Sequence, residues 1–233
     1  MSLFVGTSGY NYPEWRGTFY PEKFPTVKML KYYAERFNSV EVNYTFYRVP
    51  TIALLEGWAN QTPELFTFTL KAPRRITHDS KLRHCEELTQ TFCRTARTLG
   101  SKLGVLLFQL PPTFKRDDGA LGEFIDLLPE GTRAAFEFRH VSWHDDAVFE
   151  RLRARDIALC IADSEKMSTP VVATASYTYF RLRDEGYQQA DIATWAKTVR
   201  EASGARDAFV YFKHEEEGKG PAFASMLLAA MNG

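Results

Sequence analysis

Residues 136–139 read FEFR, an alternation of aromatic and charged side chains that decides the fold class. Successive side chains of a β-strand point to opposite faces, so the two phenylalanines share one face while Glu137 and Arg139 share the other. Residues 40–43, VEVN, repeat the pattern with Glu41 and Asn43. If the apolar faces pack against helices, these polar side chains point into the interior of a barrel of parallel strands.

The pattern continues along the chain as short β-rich runs separated by stretches with helical spacing. Between two of these runs, for example, Leu121, Phe124, Ile125 and Leu128 occupy positions i, i+3, i+4 and i+7. The predicted strands are residues 3–7, 39–43, 66–71, 103–110, 134–139, 157–163, 177–182 and 208–213. Eight strands that alternate with helices indicate parallel strands with right-handed crossovers. We therefore predict an α/β fold, a (β/α)8 TIM-type barrel forming a single domain over residues 1–233.

One crossover departs from this regularity. Residues 164–176 contain Pro170 and many small polar side chains, so we expect a loop or one short turn there in place of the sixth helix. The barrel is then slightly irregular at this point. A doubly wound open sheet remains the alternative fold.

Two threonines are candidate helix N-caps. Thr26 precedes a helical stretch containing Leu30, and Thr51 precedes one containing Leu54. Threonine hydroxyls accept hydrogen bonds from the free amides of a first helical turn.

Composition limits the class of protein. The 29 basic residues balance the 29 acidic residues, so the chain lacks the basic excess of a general nucleic-acid binder, although a local basic cleft is compatible with this balance. The apolar runs are far shorter than the roughly 20 residues that span a bilayer, and the first residues do not resemble a secretory signal. Three unpaired cysteines are typical of reduced thiols. We expect a cytoplasmic protein with no membrane contact.

Polar residues gather at the predicted carboxyl ends of the strands, where barrel enzymes place their chemistry. They comprise the acids Glu41, Glu137 and Asp163, the bases Lys71, Arg139, Arg181 and Lys213, and the neutral Asn43 and Gln109. Buried charges must pair with one another or meet a ligand. The set therefore predicts either a binding site or an ion-pair network that closes the barrel mouth.

A series of motifs in order along nearly the whole chain resembles the DUF72 (YecE-like) family. They are GTSGY at 6–10, FYP at 19–21, FNSVEVN at 37–43, TFY at 45–47, KAP at 71–73, FQLPP at 108–112, FEFRH at 136–140 and RL at 181–182. The resemblance implies a TIM-type barrel in a family whose activity is not established. Residues 213–218, KHEEEG, depart from the asparagine-rich segment of many relatives, and we interpret their glutamates as a solvated loop.

The residue types favour acid–base catalysis without an organic cofactor. Glu41, Glu137 and Asp163 are candidate proton donors or acceptors, and His78 is the best candidate among the histidines. Lys71 is either an ion-pair partner or an amine that forms a Schiff base. Nucleotide-binding and serine-hydrolase motifs are missing from the sequence.

The arginines and aromatics suggest the substrate. Arg139 and Arg181 match the fork geometry that grips carboxylate or phosphate, with Asn43 and Gln109 as neutral partners. The aromatic residues that follow strands either stack on a sugar or base or roof the barrel. Those we predict to contact substrate are Tyr10, Trp15, Tyr47 and Trp143.

These observations together predict a barrel enzyme, a hydrolase or lyase, that acts on a small anionic or sugar-like molecule. A non-catalytic module that binds nucleic acid or a partner protein is the alternative from another class. A metal-dependent phosphodiesterase or isomerase is a third, using the three carboxylates and His78 as ligands. Because metal-binding spacings are missing and four cations lie nearby, we predict no metal.

Overall fold

The alternation of apolar and polar residues produces a barrel of parallel strands in this computed structural model, which describes residues 2–163 and 167–232. Within these residues the chain forms eight β-strands and eight α-helices. The strands are β1 (Leu3–Thr7), β2 (Ser39–Val42), β3 (Thr67–Lys71), β4 (Leu103–Gln109), β5 (Ala134–Glu137), β6 (Ala158–Asp163), β7 (Tyr177–Leu182) and β8 (Asp207–Phe212). Each predicted strand is present, with ends within two residues of those predicted.

The helices follow the strands and form the outer layer. They are α1 (Met29–Ala34), α2 (Tyr44–Tyr47), α3 (Ile52–Asn60), α4 (Glu86–Ala96), α5 (Asp118–Leu127), α6 (Asp146–Arg153), α7 (Gln189–Ser203) and α8 (Lys219–Asn232). Short 3₁₀ turns lie at Pro13–Trp15, Thr26–Lys28, Arg97–Lys102 and Val141–Trp143, and a π-helical turn lies at Arg75–Asp79. No helix among the described residues is both long and apolar enough to cross a bilayer.

The sheet closes on itself. Its strands lie in the order β1-β8-β7-β6-β5-β4-β3-β2, and the two edge strands meet at a parallel bridge between Ser8 and Glu41. The Gly9 amide donates to the Glu41 carbonyl at 2.7 Å. Gly6 permits this approach, because a Cβ there would lie 1.9 Å from the Ser39 carbonyl oxygen. The barrel is therefore nearly closed, and the open-sheet alternative is wrong.

The predicted alternation separates two packed layers. Phe136 and Phe138 belong to the layer between strands and helices, where Phe136 meets Phe124 of α5 edge-on. A second buried cluster, which includes Leu107, Tyr179 and Cys160, fills the barrel interior. Strand alternation thus places Glu41 and Glu137 in the interior, as predicted.

The sixth crossover is a loop over the residues described. Residues 167–176 contain no helix, as predicted, and residues 164–166 of this connection lie outside the described part of the chain. Thr174 anchors the loop: its hydroxyl accepts from the Leu159 amide and donates to the Ile157 carbonyl, each at 2.7 Å. These two bonds hold the loop against the start of β6.

One of the two predicted caps is correct. The Thr51 hydroxyl accepts from the Leu54 amide at the start of α3. Thr26 does not cap α1, because a 3₁₀ turn precedes that helix and includes Thr26 itself. Its hydroxyl instead accepts from Arg16 at 3.1 Å.

Candidate functional site

A buried arginine joins two buried carboxylates across the carboxyl end of the barrel. The Nε of Arg181 on β7 lies 3.0 Å from Oε1 of Glu41 on β2. Its Nη1 lies 3.1 Å from Oε2 of Glu137 on β5. All three side chains are at most 1% exposed, so the charges compensate one another in a site with little water. Burial opposes ionisation of Arg181, but the two carboxylates outweigh it and raise its pKa.

Hydrogen bonds from neutral side chains complete the surroundings of Glu41. The Ser8 hydroxyl donates to its Oε1 at 2.6 Å, and the Tyr179 hydroxyl donates to its Oε2. Burial, and then the negative charge of Glu41, raises the pKa of Tyr179 well above its usual value, which keeps the phenol protonated as a donor. Both oxygens of Glu41 therefore accept from neighbouring protein groups.

Glu137 is equally well supplied with donors. Gln109 Nε2 donates to its Oε2 and Arg139 Nε to its Oε1, each at 2.7 Å. Burial alone would raise the pKa of Glu137, but Arg181, Arg139 and Arg183 outweigh it and hold that pKa well below its usual range. Glu137 is therefore an ionised carboxylate whose oxygens are occupied.

Some polar atoms of the site lack such partners. Among the described residues, Arg181 Nη2, Arg183 Nε and Asn43 Oδ1 are buried and make no hydrogen bond. Burial, then the like charges of Arg139 and Arg181, lowers the pKa of Arg183. Buried groups without partners are uncommon in folded proteins. These atoms are available to a ligand.

Lys71 ends β3 beside this network and is only 8% exposed. Its Nζ lies 4.0 Å from the ring centre of Phe46. Among the described residues, it has no carboxylate within 4 Å. Burial and then Arg181 lower the pKa of Lys71 to about 7, against the opposing effect of Glu137 and Glu41. Its amine is therefore neutral in a large fraction of molecules at neutral pH.

These groups surround a pocket of about 360 Å³. Its lining is predominantly cationic and aromatic. The residues are Tyr12, Asn43, Phe46, Tyr47, Lys71, Gln109, Arg139, Arg181, Arg183, Lys213 and Glu215. A second cleft of about 280 Å³ lies alongside and shares Tyr12 and Asn43 with it; Tyr10, Tyr44 and Trp58 line its far side.

The structure brings together most of the residues predicted for the site. The lining contains Lys71, Asn43, Gln109, Arg139, Arg181 and Tyr47, with Glu41 and Glu137 directly behind Arg181. Tyr10 lies in the neighbouring cleft. The predicted self-satisfied network is also present in part, since Arg181 is paired with Glu41 and Glu137.

Asp163 does not join this group, contrary to prediction. Alternation along β6 puts Ala162 in the interior cluster and Ile161 in the outer layer, so Asp163 shares the face of Ile161. Its carboxylate accepts from the Tyr187 hydroxyl at 2.7 Å. The position at a strand end was correct, but the side chain faces the wrong way for the pocket.

Two tryptophans predicted to contact substrate are instead part of the packed protein. Trp15 and Trp143 are both 0% exposed. Their indole nitrogens donate to the backbone carbonyls of Glu215 and Phe114 respectively. Buried rings with satisfied N–H groups have no free face for a substrate, and both tryptophans belong to the packed layer that contains Phe136 and Phe138.

His78 lies next to the pocket, behind Phe46, with ring centres 5.0 Å apart. Burial and then the charge of Lys71 lower the pKa of His78 to about 4. The imidazole is therefore neutral at physiological pH, and its Nδ1 lies 2.9 Å from the Thr77 hydroxyl. It is adjacent to the site and does not line it.

The described residues offer little to a metal ion. No group of three or more His, Cys, Asp or Glu side chains comes together among them. Asp163 shares the outward face of Ile161, and the oxygens of Glu41 and Glu137 already accept from arginine, hydroxyl and amide groups. The donor set of the metal-dependent alternative is therefore not assembled.

Sequence reasoning missed Arg183 and Ser8 as members of the site. Arg183 follows Arg181 by two residues, so extending the strand alternation one step beyond β7 would have found it. Ser8 follows β1 and meets Glu41 only because the barrel closes there. That contact depends on closure between two sheet edges, which a local pattern does not contain.

The fold and site define a (β/α)8 barrel with a charged pocket at the carboxyl end of its strands. The chain belongs to the family described as "Protein of unknown function DUF72", whose model matches residues 4–233. This confirms the resemblance found in the sequence motifs.

Individual relatives agree with this assignment. The chain is 33% identical over 139 residues to the UPF0759 protein YecE of Escherichia coli K12, covering 59% of this chain and 48% of that protein. It thus matches about half the length of that curated relative. It is 25% identical to the UPF0759 protein YunF of Bacillus subtilis, covering 93% and 90% of the two chains.

Solved structures support the fold. A DUF72 family protein from Thermotoga maritima superposes with a TM-score of 0.88 at 27% identity, over 100% of both chains. A D-psicose 3-epimerase from Clostridium cellulolyticum superposes with a TM-score of 0.55 at 11% identity, over 100% and 97% of the chains. At that identity the second likeness concerns the fold alone.

Proposed function

We propose that this protein is an enzyme that binds a small anionic substrate in the pocket and uses the Lys71 amine for proton transfer. One observation carries the proposal: the same pocket contains a buried arginine with an unpartnered Nη2 and a lysine whose pKa lies near 7. The first suits an anion, and the second suits acid–base chemistry at neutral pH.

The charge balance supports anion binding. Lys71, Arg139, Arg181, Arg183 and Lys213 line the pocket. Four of these are cations and Lys71 is partly protonated; against them stand the carboxylates Glu41 and Glu137 behind Arg181, and Glu215 at the rim, 3.3 Å from Lys213. A carboxylate or phosphate would reduce the excess of positive charge around the buried Arg181.

In this proposal Glu41 and Glu137 are positioning residues, in place of the acid–base roles predicted from the sequence. Their oxygens are already occupied by donors, and Glu137 is held ionised. Their charges fix the guanidinium of Arg181, leaving Nη2 for the substrate.

The adjoining cleft suits the uncharged part of a substrate. Tyr10, Tyr44 and Trp58 provide apolar faces there, and Asn43 Oδ1 is a free acceptor between cleft and pocket. Aromatic faces with a few polar groups are typical of sites that bind sugars and other small polar molecules. An anionic, sugar-like molecule fits both regions.

Metabolite profiling tests the proposal. Purified protein is incubated with a small-molecule extract, and consumption of anionic compounds is followed by mass spectrometry. We expect turnover by the wild type and none by Lys71→Met. Lys197→Met, the same chemical change on the exposed face of α7, is the matched control and should behave as wild type. Anion binding without any turnover would contradict catalysis and favour the non-catalytic binding module.

A further inference from the structure

Lys71 has surroundings unlike those of Lys102 and Lys213, the two partly buried lysines whose polar contacts are defined among the described residues; Lys213 Nζ lies 3.3 Å from the Glu215 carboxylate. Lys102 Nζ donates three hydrogen bonds, to the carbonyls of Ala59 and Thr62 and to the Thr62 hydroxyl. Lys71 Nζ, among the described residues, contacts the face of Phe46 and has no carboxylate within 4 Å. Its nitrogen lone pair is therefore free to react whenever the amine is unprotonated.

The pocket also provides donors for an acidic group beside the reacting atom. Arg181 and Arg183 line the same pocket as Lys71, and each keeps one buried nitrogen without a partner. Arg181 is 0% exposed, so its free Nη2 is an unsatisfied donor in the interior of the barrel mouth. Such a donor indicates a ligand with acceptor oxygens.

We propose that Lys71 forms a covalent imine with a small aldehyde or ketone that carries a carboxylate or phosphate group. This rests on the proposed function, since the anionic group is held by the arginines of the pocket. It adds the substrate class and the covalent step. The neighbouring cations favour the neutral amine, a known way to activate a lysine nucleophile.

The step balances with no further reactant. The lone pair of neutral Nζ attacks the carbonyl carbon, a C–N bond forms, and the proton lost by nitrogen moves to the former carbonyl oxygen. Water then leaves with that oxygen as the C=N bond forms and nitrogen loses its second proton. Protonation of the imine draws electrons from an adjacent C–C or C–H bond, which suits a lyase.

Borohydride trapping tests the covalent step. Wild-type protein is incubated at pH 7 with pyruvate or with dihydroxyacetone phosphate, and sodium borohydride reduces any imine to a stable amine. Peptide mapping then locates the adduct. We expect it on Lys71, at least about tenfold above Lys102 and the exposed lysines, because the lowered pKa of Lys71 leaves a large fraction of its amine neutral at this pH.

The two anionic probes distinguish carboxylate from phosphate, and uncharged dihydroxyacetone is the control for the anionic group. We expect little adduct with dihydroxyacetone and no adduct at residue 71 in Lys71→Met. The peptide map of the wild-type protein measures adduct formation at Lys71 and at Lys102 in the same sample. The result therefore does not depend on folding of the variant.

A thermal-shift titration with inorganic phosphate separates the two proposals. A rise in melting temperature with phosphate, but no adduct at Lys71, would overturn the imine proposal and leave the anion-binding proposal standing. Adducts spread over lysines in proportion to their exposure would also overturn it. If phosphate does not raise the melting temperature and no adduct forms at Lys71, both proposals are rejected.

Discussion

The Nε of Arg181 lies 3.0 and 3.1 Å from the two carboxylate oxygens of Glu41, and neither side chain is exposed to solvent. This pair links β2 to β7 across the barrel and is extended to β5 by Glu137. Buried ion pairs add little net stability but are costly to break. We therefore regard it as the element that fixes the geometry of the pocket.

Replacement of Arg181 by methionine should destabilise the protein by about 3–5 kcal/mol, because two buried carboxylates lose their common partner. Chemical denaturation measures the change. The double variant Arg181→Met/Glu41→Gln should recover part of the loss, since one unpaired charge is removed. A loss below about 1 kcal/mol in the single variant would show that the carboxylates do not depend on Arg181.

Phe136→Ala should cost about 3–5 kcal/mol, the usual effect of emptying a packed aromatic site. Phe136 is 0% exposed and stacks on Phe108 and Phe138. Val141→Ala, at a residue that is 69% exposed, is the control and should have little effect. Equal losses of stability from the two changes would contradict the placement of Phe136 in the packed layer between strands and helices.

Lys71→Met should stabilise the protein below pH 7. The unfolded chain keeps the lysine proton up to about pH 10.5, whereas the folded protein loses it near pH 7. The free-energy cost of burying the charged Lys71 amine therefore has its full value below pH 7 and disappears as the pH rises toward 10.5. At about 1.4 kcal/mol per pKa unit, the gain at pH 6 should be a few kcal/mol. A gain independent of pH would contradict the lowered pKa.

His78→Gln should reduce the loss of stability on mild acidification. The unfolded imidazole takes up a proton near pH 6.5, but burial and Lys71 prevent this in the folded protein until about pH 4. Wild type should therefore lose stability between pH 6.5 and 4. Denaturation midpoints at pH 6.5 and 5 measure the slope. An unchanged slope in the variant would assign the acid sensitivity to other groups.

The sequence predicted what depends on local alternation. Glu41 and Glu137 were placed correctly because their apolar neighbours leave only one orientation within a barrel strand. Asp163 was misplaced because its position at a strand end was considered without the alternation of its own strand, where Ala162 is the inward residue. Arg183 lies one step beyond the strand where the alternation was no longer followed.

Other features depend on contacts between distant segments. Trp15 is sequestered because the backbone of Glu215, 200 residues away, accepts its N–H. Likewise, the low pKa of Lys71 requires the combined burial and charge of four strands. The sequence pattern predicts which residue types meet at the barrel mouth. Which of their polar groups already have partners, and which remain free, is known only from the three-dimensional structure.

The central claim is that the pocket binds small anions, and calorimetric titration with inorganic phosphate at low salt tests it most directly. We compare wild type with Arg183→Gln, which removes a pocket cation with a free Nε and leaves the Arg181 pairs intact. The account predicts millimolar or tighter binding to wild type, weakened about tenfold or more in the variant, since a charge-assisted hydrogen bond contributes roughly 1.5–3 kcal/mol. No detectable binding to wild type, or equal binding to both proteins, would contradict it.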